Sequence, residues 1–336
     1  MTSTSRSMQL NLKELALEAL KEFKLNGNNL VIDIGGNDGT LLSNFKKSGV
    51  KTLNIEPATN IALLSEKKGI NTINKFVSVD TANEIVKKYG KAKIVTATNV
   101  FAHINNLNEF LESLDVMLQE DGIFIFEVPY LIDLLEKTAF DTIYHEHLSY
   151  FSVKPLCTLF DKFSMCLFRV KRMAIHSGSI RVFVSKTPRE VEKSVTELLK
   201  LEEKHKLNSL DPYFGLKRKV EKTKLELISL LRDLKSQGKD IVGYGAAAKG
   251  NTLLNYCKIG AEYLDYIIDN TPFKQGLYSP GMHLPIKPPS AFLRHKPDYA
   301  LILAWNWAKE IMNKEKEYKS LGGKFILPLP KPTIID

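Results

Sequence analysis

The sequence predicts an α/β protein made of two Rossmann-like halves, and three observations carry the prediction. Short β-branched runs alternate with amphipathic stretches through the first 140 residues. The same alternation returns from about residue 240 onward. At 336 residues the chain is also too long for one small core. Regular βαβα alternation calls for a parallel sheet covered by helices on both faces.

A helix is expected around Leu12–Phe23, ahead of a strand at Leu30–Ile34 that runs into a glycine-rich turn. Further strands are expected at Lys51–Ile55, which ends beside Glu56, at Ile94–Thr98 and at Ile123–Val128, with helices between them. Beyond this half, Val153–Phe160 reads as a helix, and Cys166–Arg172 with Ser179–Ser185 as a β pair. Arg189–Lys235 reads as long charged helices interrupted at Asp211-Pro212. The second half repeats the first, with strands Asp240–Tyr244, Leu264–Ile268 and Tyr299–Leu303 and helices after Ala247 and Trp307. The expected division is therefore residues 1–150, a connector over 151–237, and a second lobe over 238–336.

Hydrophobic residues at 44% and charged residues at 25% match an ordinary globular chain without long low-complexity tracts. No stretch approaches the roughly 18 uncharged apolar residues of a membrane span, and MTSTSRSMQL lacks the apolar core of a signal peptide, so a cytoplasmic protein without a membrane partner is expected. Cys157, Cys166 and Cys257 have no CxxC spacing and suit neither a disulfide framework nor a thiolate zinc site. The formal charge of +9 raises the question of nucleic acid. Many of the basic residues between Lys186 and Lys239 are interleaved with acids, as on solvated helix faces, and no RNA-binding signature accompanies them, so no nucleic-acid partner is expected.

The turn LVIDIGGNDGTLL places Asp33 at the end of the first strand and Gly35, Gly36 and Gly39 where a helix opens. Glycines allow positive φ and close approach of a ligand, and the helix start offers free N–H groups. A dinucleotide fingerprint reads GxGxxG. Here the pattern is DxGGNDG, with Asp33 at the strand end and Asp38 beside the last glycine. Acids in that place disfavour a pyrophosphate and suit a cation. S-adenosyl-L-methionine carries an ammonium and a sulfonium, so the turn fits that cofactor better than NAD. Glu56, 23 residues after Asp33, ends the next strand where a carboxylate can accept both ribose hydroxyls. The expected cofactor contacts are Asp33, Gly35, Asn37, Gly39 and Glu56, together with Asn99, Phe101 and His103 from TNVFAHI at the carboxyl edge of the sheet. Phe101 is expected to cover the cofactor.

YHEHLSYF, from Tyr144 to Phe151, sets two histidines around a glutamate. A zincin needs His-Glu-x-x-His so that both imidazoles reach one helix face, and Ser149 stands where the second histidine would be. No metal is expected. Mutual satisfaction inside a core is the bland alternative. Four polar residues in a row after a sheet strand are costly to bury without a use, which favours acid/base chemistry.

VIDIGGNDGTLL, TNVFAHI, FEVPYLIDLLEKTAFDTIYHEHLSYFS, IHSGSIRVF and GYGAAAKGNTLLNY together resemble the S-adenosylmethionine-dependent sugar C-methyltransferases, which act on nucleotide-linked keto-deoxysugars. The resemblance runs from about Ser3 to the carboxyl terminus, and YHEHLSYF is its most specific part. It implies a methyltransferase domain over 1–150, a nucleotide-sugar-binding lobe over 238–336, and methyl transfer to a carbon beside a ketone, most typically C3 of a thymidine-diphosphate 4-keto sugar. Such a carbon becomes nucleophilic only when a base removes its proton and the enolate oxygen is stabilised. The resemblance places the base at His147, with Glu146 as its orienting or charge-balancing partner and Tyr144 as a donor towards the substrate oxygen. His145 is expected to be structural.

IHSGSIRVF is similar to the family's HGGS-R segment with Ser177 in place of a glycine, which implies His176, Ser179 and Arg181 on the sugar side of the pocket. In DIVGYGAAAKGNTLLN a lysine stands in the turn and no acid ends the strand, which favours an anion, and the family implies nucleotide-sugar contacts from Gly245, Lys249 and Asn251. Trp305 and Trp307 at a later strand edge suit core packing at least as well as ligand stacking. Typical family members begin with a cysteine-rich zinc module, and no such segment precedes the glycine turn here. Three arrangements accommodate this: the module is lacking, a separate partner chain supplies it, or the acceptor differs. Two competing readings stand beside the methyltransferase, an NAD-dependent oxidoreductase acting on nucleotide sugars and a non-catalytic nucleotide-sugar-binding relative.

Overall fold

A computed structural model describes residues 5–335. Helix α1 (Arg6–Glu22), capped by Ser5, precedes β1 (Leu30–Ile34), α2 (Thr40–Lys46), β2 (Lys51–Ile55), α3 (Thr59–Lys67), β3 (Asn71–Ile73), α4 (Val79–Tyr89), β4 (Ala92–Thr98), α5 (Leu107–Met117) and β5 (Leu118–Pro129). The chain continues through α6 (Leu131–Glu136), α7 (Val153–Asp161), β6 (Cys166–Met173), β7 (Ser179–Ser185) and α8 (Lys193–Lys204). The seven strands form one sheet in the order β3-β2-β1-β4-β5-β7-β6. The first five are parallel, and β7 and β6 add antiparallel to the β5 edge. All of β1 is buried, as its nearly continuous apolar run requires at the centre of a sheet covered on both faces.

The second unit contains α9 (Asp211–Ser236), β8 (Ile241–Tyr244), α10 (Ala248–Cys257), β9 (Ile267–Ile268), β10 (Ile286–Lys287), α11 (Ser290–His295), β11 (Tyr299–Ile302), α12 (Ala308–Lys314), α13 (Lys316–Ser320), β12 (Lys324–Leu327) and β13 (Thr333–Ile335). Its sheet runs β10-β9-β8-β11-β12-β13, parallel except for β13. Leu227, Leu231 and Leu234 of α9 pack with Ile241 and Leu253 in one apolar cluster, while Val242, Tyr244, Phe292 and Phe325 form another.

Both halves are thus α/β and Rossmann-like, as expected, but the division of the chain differs from the expected one. One unit comprises residues 1–132 and 148–205, the other 133–147 and 206–336. The β pair expected in a connector completes the first sheet, because β7 pairs with β5 over seven residues from Ile123↔Ser185 to Pro129↔Ser179. Segment 133–147, which carries the YHEH part of the motif, belongs to the second unit. The break expected at Asp211-Pro212 is present: α8 ends at Lys204, and Asp211-Pro212 opens α9. A proline in the first turn loses no hydrogen bond, since that N–H has no intrahelical acceptor anyway.

Candidate active site

A cavity of about 800 Å³ opens at the carboxyl edge of the first sheet, lined by Asp33, Gly35, Gly36 and Asn37 from the turn after β1, by Glu56 after β2, and by Asn99 and His103 after β4. Gly35 has φ +62° and its N–H reaches the Ile55 carbonyl at 2.7 Å, so the turn is stitched to the neighbouring strand. Gly36 is required for space: a Cβ there would stand 2.4 Å from Asn54 Oδ1 and 2.6 Å from Asp33 Oδ2. Gly39 is not at the cavity. It starts α2 at φ +70° against Ser65 and Ile70, so its role is conformational.

Two carboxylates face this cavity with different constraints. Asp33 is buried, and desolvation pushes its pKa up to about 7 despite a 2.7 Å hydrogen bond from Thr96 Oγ1; Glu56 and Glu127 add repulsion. Glu56 accepts from the Asn37 N–H at 3.1 Å and the Ala58 N–H at 3.0 Å, one on each oxygen. Its orientation is therefore set by backbone. Asp38, expected to help attract a cation, is instead bound by Thr40 Oγ1 at 2.6 Å and by Lys68 Nζ at 3.3 Å, away from the cavity.

Three more expected pocket residues lie elsewhere. Phe101 is fully buried among aromatic rings, with centroids 4.7 Å from Phe126 and 5.1 Å from Phe151, and lies in the core behind the cavity wall. Arg181 is also fully buried. Its Nε donates to Glu127 at 2.7 Å, and its other nitrogens reach Glu18 at 3.2 Å and Asn11 Oδ1 at 3.0 Å. Asn11 closes the network by donating to Glu127 at 2.9 Å. Arg181 is thus a core ion pair on β7, turned to the side of the sheet that α1 covers. Ser179 is buried and donates to the Ile175 carbonyl at 3.2 Å. Of the three residues expected on the sugar side, His176 alone lines the cavity.

The YHEH segment forms a turn closed by the His147 N–H on the Tyr144 carbonyl at 3.0 Å. His147 is half-buried, and His145 and Glu146 are exposed. Imidazole Nδ1 lies 2.8 Å from the Thr142 carbonyl, which can only accept, so Nδ1 carries the proton. Nε2 is left with its lone pair, 3.3 Å from the Tyr144 hydroxyl. The group that orients His147 is therefore a backbone carbonyl, and the expected orienting role of Glu146 is corrected. Among the described residues no group of three or more metal-ligating side chains comes together.

In the second unit, Gly245 turns the chain after β8 at φ +93°, where a Cβ would meet Ala304 Cβ at 2.8 Å. Asn251 is half-buried on α10, and its carbonyl takes the Asn255 amide at 2.8 Å. The absence of an acid in this turn is made good from elsewhere in the chain. Asp269 Oδ2 accepts from the Ala246 N–H at 2.7 Å, and the charge of Asp141 acts on Lys249. Lys249 Nζ is sealed from solvent without a hydrogen-bond partner, 5.3 Å from the Trp305 ring centroid. Burial lowers its pKa, and Asp141 opposes the shift. A lysine already facing a carboxylate is a poorer phosphate ligand than the sequence expects.

Comparison with known proteins bears on this geometry. A methyltransferase-domain family model matches residues 5–164, and a C-methyltransferase C-terminal-domain model matches 174–330. The C-methyltransferase NovU of Streptomyces niveus is 36% identical over 335 residues, covering 99% of this chain and 80% of the relative. The chain belongs to the C-methyltransferases. As in that family, its methyl donor is S-adenosyl-L-methionine. Similar solved structures include the plantazolicin methyltransferase BpumL in complex with a pentazolic desmethylPZN analog and SAH, at 12% identity and TM-score 0.41, covering 54% of this chain and 84% of that one. Another is magnesium protoporphyrin IX methyltransferase (ChlM) from Synechocystis PCC 6803 with bound SAM, at 11% identity and TM-score 0.39, covering 53% and 78%.

The cavity of this C-methyltransferase fits its donor. A buried carboxyl on the cavity wall with its pKa pushed up to about 7 gains from a neighbouring cation. Family membership also sets aside the NAD-dependent oxidoreductase. The sequence reading missed the wall supplied by Met8 and Leu12 of α1 and by Lys75, Phe76 and Val77 after β3. Phe76 is 79% exposed, and a lone aromatic directly after a lysine in a loop was the available signal.

Proposed function

We propose that this C-methyltransferase methylates a carbon alpha to the ketone, typically C3, of a nucleotide-diphosphate 4-keto-deoxysugar in the cytoplasm, with His147 as the base. The observation that carries the reading is the Nδ1 bond to Thr142, which leaves Nε2 as an acceptor beside a phenol. When bound, S-adenosyl-L-methionine supplies an electrophilic methyl group on a sulfonium. His147 Nε2 takes the α proton: the C–H bond breaks, an N–H bond forms, and the electron pair moves onto the carbonyl oxygen. Nδ1 already donates to Thr142, so the resulting imidazolium is stabilised where its charge appears. The 3.3 Å contact from Tyr144 to Nε2 is long, so its O–H can turn to the developing enolate oxygen at little cost. Asp33 and Glu56 would hold the donor's cationic and ribose ends, with Asn37, Asn99 and His103 around it. Gly245 and Asn251 remain the proposed nucleotide-sugar contacts of the second unit, Lys249 being sealed from solvent, and a zinc-module partner chain remains compatible with this assignment.

The test offers methyl-labelled S-adenosylmethionine with a panel of nucleotide keto-sugars and locates the transferred carbon by NMR. Label at a ring carbon beside the ketone supports the proposal. Label on oxygen or nitrogen, or on a substrate with no ketone, rejects it.

A further inference from the structure

The polar motif is anchored through a residue that the motif does not include. Phe140, Asp141 and Thr142 form a single 3-10 turn, all three buried. Phe140 packs in the second unit's apolar cluster, its ring 5.1 Å from that of Tyr256. Asp141 is 0% exposed, and its Oδ2 accepts the Trp305 indole N–H at 2.6 Å. Thr142 follows, tied by its hydroxyl to the Ala139 carbonyl at 2.7 Å, and its own carbonyl holds His147 Nδ1 at 2.8 Å. A buried carboxylate is a costly way to fix a turn that apolar contacts already hold. Its Oδ1 makes no hydrogen bond of good geometry, so the carboxylate is not there to complete a fully satisfied network. What the carboxylate adds is direction: a short, charge-assisted bond fixes the turn's rotation, and with it the direction of the next carbonyl.

We propose that Asp141, clamped by Trp305, is the positioning residue for His147, holding the Thr142 carbonyl where it selects the Nδ1–H tautomer and so makes Nε2 the basic nitrogen for proton removal. The inference rests on the assignment of His147 as base. Lys249 fits the same scheme. Burial raises the Asp141 pKa and the sealed Lys249 nearby opposes that rise, while the Trp305 face beneath Lys249 supports the ring that makes the bond.

The test is the tautomer of His147 in the full-length protein, read by ¹⁵N NMR with selectively labelled histidine and assigned by the signals lost in His147→Gln. The parent protein should show the Nδ1–H form. Trp305→Phe keeps the ring but removes the donor, and Asp141→Ala removes the acceptor; both should shift His147 towards the Nε2–H form. Asp141→Asn keeps an oxygen for the indole and should retain Nδ1–H. With thymidine-diphosphate 4-keto-6-deoxyglucose as probe substrate, kcat should fall by about tenfold or more in Trp305→Phe while KM changes by less than about threefold. Cofactor affinity, measured by calorimetry with S-adenosylhomocysteine, should not change and reports on folding. An unchanged Nδ1–H signature in both Trp305→Phe and Asp141→Ala overturns the proposal. Full methyl transfer by His147→Gln would instead reject the base assignment, whatever the tautomer result.

Discussion

Thr96 donates a 2.7 Å hydrogen bond to Asp33, yet the Asp33 pKa still lies near 7 because burial outweighs the bond. The sign of the pH dependence follows. The folded pKa is above the unfolded value of 3.8, so from about pH 4 to 7 the unfolded chain has released a proton that the folded chain keeps. Stability therefore falls as pH rises through that window, by at most about 4 kcal/mol for this group, and levels off above it. Thermal melts of the cofactor-free protein should show this slope, and Asp33→Asn should flatten it.

Cofactor binding and proton removal are assigned to different units and should separate by mutation. Asp33→Ala should weaken S-adenosylmethionine binding by about tenfold or more in calorimetry, while His147→Ala should leave it within about twofold. Exchange of the substrate α proton into deuterated water should vanish in His147→Ala. Equal loss of cofactor affinity in both variants would mean that the two roles are misassigned.

Affinity for the donor should itself rise between about pH 6 and 8, as Asp33 ionises to meet its cation. Asp33→Asn should bind more weakly and lose that dependence. A parent protein with flat affinity across this range would place the donor's ammonium away from Asp33.

Gly36→Ala should cost about 1–3 kcal/mol and most of the cofactor affinity, because the new methyl would collide with Asp33 and Asn54 together. Gly49→Ala tests the alternative that any glycine change in this sheet is harmful. That residue has open space around it but a φ of +78°, so it should lose stability through backbone strain and keep cofactor affinity.

Arg181→Ala should behave as a stability variant. Removing the guanidinium strands Glu127 in the core, and breaking such a buried pair costs about 3–5 kcal/mol. Activity per folded molecule at low temperature should stay near the parent value. A selective rise in KM for the sugar, with an unchanged melting temperature, would restore Arg181 to the substrate pocket.

Much of this was legible in the chain, for identifiable reasons. Leu30–Ile34 and Lys51–Ile55 are the bounds found for β1 and β2, because central parallel strands are written as short apolar runs that stop at turn residues. Asp33 and Glu56 were found because strand ends fix where a side chain meets the sheet edge. Strand β3, only three residues with no fully buried position, carries too weak a pattern to read, and the wall after it was lost too. The β pair was recognised, but local alternation does not say which sheet a pair joins. Phe101 and Arg181 failed for a related reason. Position near a strand edge gives a face, whereas depth depends on what α1 and the neighbouring rings bring from elsewhere in the chain. His147 was found by motif, but its orienting carbonyl carries no side-chain signature.

The chain passes between its two units after residues 132, 147 and 205. No single cut of the polypeptide can therefore release both units whole: a break at 205 leaves fifteen residues of the second, His147 among them, on the first fragment. A protein so interlaced is not two cassettes joined end to end. Gene fragments meant to exchange acceptor specificity would have to carry residues 133–147 along with the carboxyl-terminal half, or they would separate the proposed base and its turn from Trp305, which clamps that turn.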